Sequence, residues 1–289
     1  MISIIVPAHN EEAVIGRCLE ALTSGCEPDE LEVIVCCNAC VDRTATIARD
    51  FGAPVRVVES NIPSKTSAMN LGDEVARGFP RIYVDADVVL PLQSVRELAR
   101  VLEQDEVLAA APAVRTVYPP DATWAVRAYY DFWMALPYIQ EGMMAAGVYG
   151  LSRSGRARFN QFPNVIADDG FVRLQFTSDE RVEAASALST VSAPSKFADL
   201  IKIKTRSRLG VYELKVRFPE HFLRESKSKQ YGKALLALAR IPRLYAAAVP
   251  YLWVNLVSRY RARRQLSHLE AYVWERDNSS RAASADAPN

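Results

Sequence analysis

Residues 2–12 read Ile2-Ser3-Ile4-Ile5-Val6-Pro7-Ala8-His9-Asn10-Glu11-Glu12. The nearly unbroken apolar run Ile2–Pro7 is the pattern of a strand covered on both faces. Such a strand belongs inside a parallel sheet, and parallel neighbours need crossover helices. The next hundred residues supply them. Glu11–Ser24 carries apolar residues at 14, 15, 18, 19 and 22, a helical face. Leu31–Cys37 reads as a second buried strand, Asp42–Phe51 as a short helix whose cap is Asp42, and Val55–Glu59 as a third strand. Ser64–Arg77 reads as a helix capped by Ser64 and closed by Gly78. Arg81–Val84 is expected as a strand, Leu92–Gln104 as a helix and Val107–Val114 as a strand. This alternation predicts an α/β fold with a mostly parallel sheet flanked by helices.

After Pro119-Pro120 the rhythm changes. Asp121–Gln140 reads as one aromatic-rich helix holding Trp124, Tyr129, Tyr130, Phe132, Trp133 and Tyr138. Ala145–Leu151 reads as a strand, Asp168–Phe176 as a short helix behind two acids, and 181–185 and 188–192 as short strands. From Lys196 the chain reads as helical and basic, and 278–289 as a frayed tail.

The 289 residues are 49% apolar and 24% charged, which excludes a disordered protein and supplies material for a core. No apolar run reaches the ~18–20 residues of a clear membrane span. The N-terminus has no basic stretch ahead of an apolar one, so no signal peptide is expected. Five Cys, at 18, 26, 36, 37 and 40, crowd into the first 40 residues. That makes a poor disulfide framework and points to a reducing compartment. Cys36, Cys37 and Cys40 read as a strand end and a loop opening, since no His or fourth Cys stands nearby in sequence to complete a zinc shell. Charge is divided unevenly. Residues 1–195 hold 16 Lys and Arg against 26 Asp and Glu, and 196–289 hold 19 against 8. The window 226–269 has nine basic residues and no acid. An acidic front suits a metal, and a basic back suits an anionic partner.

The strongest local signal is Tyr83-Val84-Asp85-Ala86-Asp87. Side chains two apart on an extended segment point the same way, so Asp85 and Asp87 are a candidate pair for Mg2+ or Mn2+. Ligands of open α/β sheets sit at that strand edge. Two solvated acids in a turn are the competing reading.

The order of motifs adds a resemblance. Ile2–Glu12 resembles the opening of the family 2 glycosyltransferases. Val33-Ile34-Val35-Cys36-Cys37-Asn38-Ala39-Cys40-Val41-Asp42-Arg43-Thr44 resembles that family's strand ending in Asp-Asp-Gly-Ser-x-Asp-x-Thr. Lys65 and Asn70, in Ser64-Lys65-Thr66-Ser67-Ala68-Met69-Asn70, resemble its Gly-Lys-x-x-Ala-Leu-Asn segment. Asp85-Ala86-Asp87 falls where the family keeps its metal motif. Asp168-Asp169 falls where it keeps an acidic pair containing the catalytic base. The resemblance covers about residues 1–220.

It implies a GT-A fold over 1–220, with a nucleotide-binding half at 1–115 and an acceptor half at 116–220; beyond it, composition and pattern read as a basic helical extension at 221–277 and the tail at 278–289. It implies transfer of a sugar from a nucleotide-sugar donor to a hydroxyl acceptor, with inversion at the anomeric carbon. In that scheme a divalent cation on Asp87, with Asp85 near, neutralises the leaving diphosphate, and Asp169, with Asp168 beside it, takes the acceptor proton. Pro7, Ala8, Asn10, Glu11, Asn38 and Lys65 are then expected at the donor, and Arg206 or Arg208 on its diphosphate. The pairing of Asp168 and Asp169 also suits a helix start. Two departures stand out. Cys37 occupies the place where an Asp commonly contacts uracil, which leaves the nucleotide base open. The Gln-x-x-Arg-Trp motif of processive members has no counterpart here.

Two rival readings remain at this level. One is a haloacid-dehalogenase-type phosphohydrolase using Asp85 and Asp87, although that family usually opens with its motif. The other is a catalytically dead, membrane-associated adaptor. No nucleic-acid partner is expected. The location expected is cytoplasmic, with residues 234–257 lying on the inner face of an anionic membrane. A helical hairpin packed on the core is the alternative for that segment.

Overall fold

The computed structural model describes residues 1–136, 146–224 and 245–267. The expectations for 137–140, Ala145, most of the basic segment and the tail fall outside the described residues. The described chain divides into two compact units. The first takes 1–115 and 146–191, and the second takes 116–136 with 192–224 and 245–267.

The first unit is built on strands β1 (Ile2–Ala8), β2 (Leu31–Asn38), β3 (Val55–Ser60) and β4 (Arg81–Val84), with β5 (Ala109–Val117), β6 (Val148–Leu151) and β7 (Arg181–Ser192). Among the described strands the sheet order is β3-β2-β1-β4-β6-β5-β7. β1 pairs in parallel with β2 and β4, and β2 with β3. β6 runs antiparallel between β4 and β5. Every residue of β1 and β2 is buried, as continuous apolar strands in a covered sheet should be. Helices α1 (Ile15–Thr23), α2 (Thr44–Asp50), α3 (Lys65–Val75) and α4 (Leu92–Leu102) make the crossovers. Ile4, Val6, Leu19, Leu22, Val33, Val35, Ile82 and Leu98 share one core. α3 packs on β1 and β2 at Gly72, where a Cβ would fall 2.6 Å from Ile5 Cγ2 and 2.8 Å from Cys36 Sγ. Only glycine permits so close an approach of helix to sheet. The strand order reverses between β1 and β4, so the crevice for a ligand lies beyond the carboxyl ends of those two strands.

Several boundaries differ from expectation. Residues 11–14 form a turn, with Val14 and Ile15 N–H both donating to Glu11 O, and α1 begins at Ile15. Ser64 caps α3 as expected, accepting from Ser67 N–H, but the helix ends at Val75, before Gly78. The two short strands expected across 181–192 are one. Their Ser-rich middle stays extended because Ser94 Oγ bonds both the N–H and the C=O of Leu188.

The second unit is helical: α5 (Trp124–Met134), α8 (Phe197–Arg217), α9 (Pro219–Arg224) and α10 (Tyr245–Leu266). In the first unit, α6 (Arg153–Arg156) and α7 (Asp168–Leu174) follow β6. The aromatic residues of α5 are largely used in packing. Val126, Tyr129, Tyr130, Leu200 and Val254 form a core, and Phe132 lies 4.6 Å from Tyr251 between ring centroids. Among the described residues no helix is long and apolar enough to cross a membrane.

Candidate active site

β4 ends at Val84, and Asp85 opens a turn that Val88 N–H closes on Asp85 O at 3.0 Å. The backbone is therefore not extended through Asp85–Asp87, and the two-residue period expected there does not apply. Asp85 N–H donates to Gly147 O at 2.7 Å. Gly147 has φ +76°, and a Cβ on it would come 3.1 Å from Asp85 Oδ2, so a glycine there makes room for the carboxylate. Lys65, the first residue of α3, extends its ammonium to Asp85 Oδ1 at 2.7 Å and to Asp168 Oδ1 at 2.9 Å. Asp168 and Asp169 open α7, a position the helix dipole favours for acids. The side chain of Asp168 is 6% exposed and that of Asp85 35%.

Lys65 thus bridges Asp85 and Asp168, with Asp169 next to Asp168, while Arg17 donates to the main-chain carbonyl of Asp87 at 3.5 Å. Burial disfavours the Lys65 ammonium, but Asp168 and Asp85 outweigh burial and hold it firmly protonated. Burial raises the Asp85 carboxyl against the pull of Lys65, and Asp168 and Asp87 add to the rise. Burial and then Asp168 push Asp169 up to about 6. Asp169 Oδ1 accepts from Gly170 N–H at 2.7 Å. Asp87 is half-buried, and its carboxylate makes no hydrogen bond or ion pair among the described residues.

The supporting contacts were not read from the sequence. Tyr149 donates its hydroxyl to Asp168 Oδ2 at 3.3 Å and stacks on Tyr83 with centroids 5.0 Å apart. The antiparallel register of β6 sets Tyr149 opposite Tyr83. Asn70 on α3 exchanges two bonds with the backbone of Phe162, at 3.0 and 2.9 Å, and so fixes the loop leading into Asp168. One turn further along α3, Asp73 receives Tyr83 Oη, Arg81 and Arg156.

Beyond the ends of β1 and β2, His9 Nδ1 donates to Asn38 O at 2.5 Å. Asn10, with φ +53°, accepts Val41 N–H on Oδ1 at 2.7 Å. Glu11 N–H donates to Thr44 Oγ1 at 2.7 Å, and Thr44 N–H donates to Asp42 Oδ1. Pro7, Ala8, Glu11 and Asn38 are buried. The neighbouring Cys40 thiol, together with burial, pushes the Cys37 thiol up and keeps it neutral. All five cysteines are free thiols. Arg206 and Arg208 lie on α8 in the second unit, where Arg208 donates to Asn255 Oδ1 at 3.0 Å.

Asp85 and Asp87 offer the hard oxygen donors that Mg2+ or Mn2+ prefers. Among the described residues no three His, Cys, Asp or Glu side chains converge to hold an ion unaided. The donor set therefore fits a cation whose shell is completed by ligand oxygens, the usual arrangement for Mg2+ with phosphates.

The chain is similar to a mannosyltransferase from Pyrobaculum calidifontis, PcManGT, solved with GDP-Man and Mn2+. The TM-score is 0.65 at 18% identity, over 92% of this chain and 86% of that one. Glucosyl-3-phosphoglycerate synthase from Mycobacterium tuberculosis, solved with Mn2+ and UDP-glucose, gives a TM-score of 0.50 at 20% identity over 75% of this chain and 78% of the other. At these identities the likeness shows the fold, which is GT-A. The uncharacterized glycosyltransferase EpsJ of Bacillus subtilis is 31% identical over 110 residues, 37% of this chain and 32% of that protein. Glycosyltransferase AglE of Haloferax volcanii is 30% identical over 135 residues, 45% of this chain and 44% of the relative. The matches thus span less than half the length of these relatives. Residues 3–158, more than half of the chain, match the glycosyl transferase family 2. On that match the chain belongs to glycosyl transferase family 2.

Proposed function

We propose that this chain is a metal-dependent, inverting glycosyltransferase that moves a sugar from a nucleotide-sugar donor to a hydroxyl acceptor. The observation that carries the reading is the cluster beyond β4: Lys65 held between Asp85 and Asp168, with the Asp87 carboxylate making no hydrogen bond or ion pair among the described residues and Asp169 raised to about 6. In this reading the transferase domain is 1–220, with the donor in the half formed by 1–115 and the acceptor in 116–220, and 221–277 is a basic extension.

Asp87, with Asp85, holds the divalent cation, which supplies charge neutralisation to the departing diphosphate. Lys65 adds positive charge at the same place and fixes Asp85 and Asp168 relative to each other. Asp169 receives the acceptor proton. As the acceptor oxygen bonds the anomeric carbon, the bond from that carbon to the phosphate oxygen breaks on the opposite face, and the electron pair leaves with the nucleoside diphosphate. Asp168 holds its neighbour's potential negative enough to keep Asp169 basic. Pro7, Ala8, Asn10, Glu11 and Asn38 shape the nucleotide end, mainly through backbone groups, because their side chains are buried or already bonded. Cys37 brings no charge to the base, so a uridine donor lacks the carboxylate contact the family commonly gives it. Arg206 and Arg208 are the proposed diphosphate clamp. The further partner is an anionic membrane surface on the cytoplasmic side.

The family match favours the transferase over the phosphohydrolase reading. The test is a panel of nucleotide sugars varied in base and sugar, read by thermal shift and by donor hydrolysis with and without Mn2+. Stabilisation by one donor that depends on the cation supports the proposal. Stabilisation without any turnover points to the dead adaptor, and stabilisation by no donor removes the reading.

A further inference from the structure

Helix α10, Tyr245–Leu266, has two faces that a helical period does not separate. Ala247, Pro250, Val254, Ser258 and Ala262 are buried, and this row of small residues packs on α5 and α8 within the second unit. The opposite row is Tyr245, Val249, Leu252, Trp253, Leu256 and Tyr260, each between 56% and 67% exposed. The spacing of that row is helical throughout, so the six side chains form one continuous stripe. Soluble surfaces rarely carry so many large, exposed apolar side chains side by side.

The same face changes character along its length. It is apolar from Tyr245 to Leu256 and then basic, with Arg259, Arg263 and Arg264 exposed and the Arg264 guanidinium 5.8 Å from the Tyr260 ring centroid. Arg261 is half-buried, turned away from this row. The helix contains no Asp or Glu. We infer that this outward face of α10 is a membrane-docking surface for lipid with anionic headgroups. The apolar turns enter the headgroup and acyl boundary, and the three arginines sit at headgroup phosphates. Tyr245, Trp253 and Tyr260 suit that boundary, each having an apolar ring with a polar edge. An interfacial helix of this kind buries its apolar side by roughly 5–10 Å. A second copy of the same face would bring no carboxylate to the arginines. A lipid surface supplies anions to them and hydrocarbon to the stripe together. The inference narrows the segment expected from the sequence, since 225–244 lies outside the described residues and Arg261 drops from the basic set.

The inference deepens the membrane partner proposed above; its observations lie in the second unit alone and do not need the sugar-transfer step. The experiment is co-sedimentation of the full chain with vesicles of phosphatidylcholine, alone or mixed with phosphatidylglycerol. The parent is expected to sediment with the mixed vesicles and to be released by salt. Arg259→Gln with Arg263→Gln and Arg264→Gln should weaken partitioning about a hundredfold, given the contribution of each basic residue near an anionic surface. Leu252→Gln with Trp253→Gln and Leu256→Gln should abolish it. These positions are exposed, so thermal melts should stay at the parent value. If the triple changes disturb folding, Leu252→Gln and Leu256→Gln singly should each weaken partitioning. Failure of the parent to bind mixed vesicles, or unchanged partitioning of both sets, overturns the inference. So does a dimer seen by light scattering that Leu252→Gln disperses, or a fall in melting temperature for the single changes, which would mean the chain's own segments cover the face. Donor binding with Mn2+, measured on the same preparations, separates this failure from failure of the transferase reading.

Discussion

Replacing Asp169 by Asn separates what the carboxylate does for the chemistry from its effect on the fold. Burial, and after it Asp168, raises the carboxyl from 3.8 to about 6. A shift of that size removes roughly 3 kcal/mol from the folded protein once the group is ionised. Asp169 is partly exposed, so screening makes this an upper bound and ~1–2 kcal/mol the working expectation. Below 3.8 the folded and unfolded chains both hold the proton, and the group contributes nothing to stability. Between 3.8 and about 6 the unfolded chain releases its proton first, so stability falls as pH rises, and above about 6 the loss is constant. Asn cannot ionise, and its Oδ1 still accepts the Gly170 N–H. Asp169→Asn is therefore expected to melt a few degrees above the parent at about pH 8 and level with it at about pH 4. It should bind the donor with parental affinity and lose sugar transfer. The assay is a pair of melting curves across that pH range, with donor titration and transfer measured on the same samples. A variant less stable than the parent at about pH 8, or a gain independent of pH, refutes the electrostatic account. Full transfer refutes the base, and a complete loss found in Asp168→Asn instead moves the role to its neighbour.

Four further expectations follow from the same site. Excess chelator should abolish donor turnover, and Asp87→Ala should lose on the order of several kcal/mol of transition-state stabilisation, with a smaller loss in Asp85→Ala; full activity in chelator would sink the metal assignment. Transfer should rise as pH passes through about 6 and then level, because Asp169 must be ionised to act as a base; a profile flat from about pH 4.5 upward contradicts this. Lys65→Met leaves Asp85 and Asp168 without their shared cation and should destabilise the protein by about 3 kcal/mol at neutral pH, less on acidification, as read by denaturant melts. Asn70→Ala removes both bonds to Phe162 and should cost ~2 kcal/mol of stability while lowering kcat more than donor affinity; an unchanged ratio of the two argues that the loop does not position Asp168.

The strands β1 to β4 and their crossovers were legible because each is a local pattern, a short apolar run or a helical stripe between turn residues. β6 was only partly so. Val148–Leu151 is short, and nothing local says that it inserts antiparallel between β4 and β5 or that Tyr149 faces Tyr83. Asp85, Asp168 and Lys65 were visible as types in the right order, but their contact spans about a hundred residues of chain, and spacing carries no such information. The turn at Asp85 stood only as the competing reading, because Asp-Ala-Asp suits a strand end and a turn equally. α10 gave no periodic signal for a physical reason. Both of its sides are apolar, one for its neighbours and one outward, so burial in the structure separates them where hydropathy cannot.

The loop between Phe162 and Asp168 is pinned at both ends by the same helix. Asn70 grips Phe162 and Lys65 grips Asp168, so 163–167 acts as a strut of fixed span rather than a slack connection. Loops usually absorb insertions. This one should not, because a single added or lost residue displaces one end by up to about 3.5 Å, beyond the reach of either grip. Length, more than composition, is then what this stretch must keep, and the acidic pair is geared to a helix on the sheet instead of riding on a free loop.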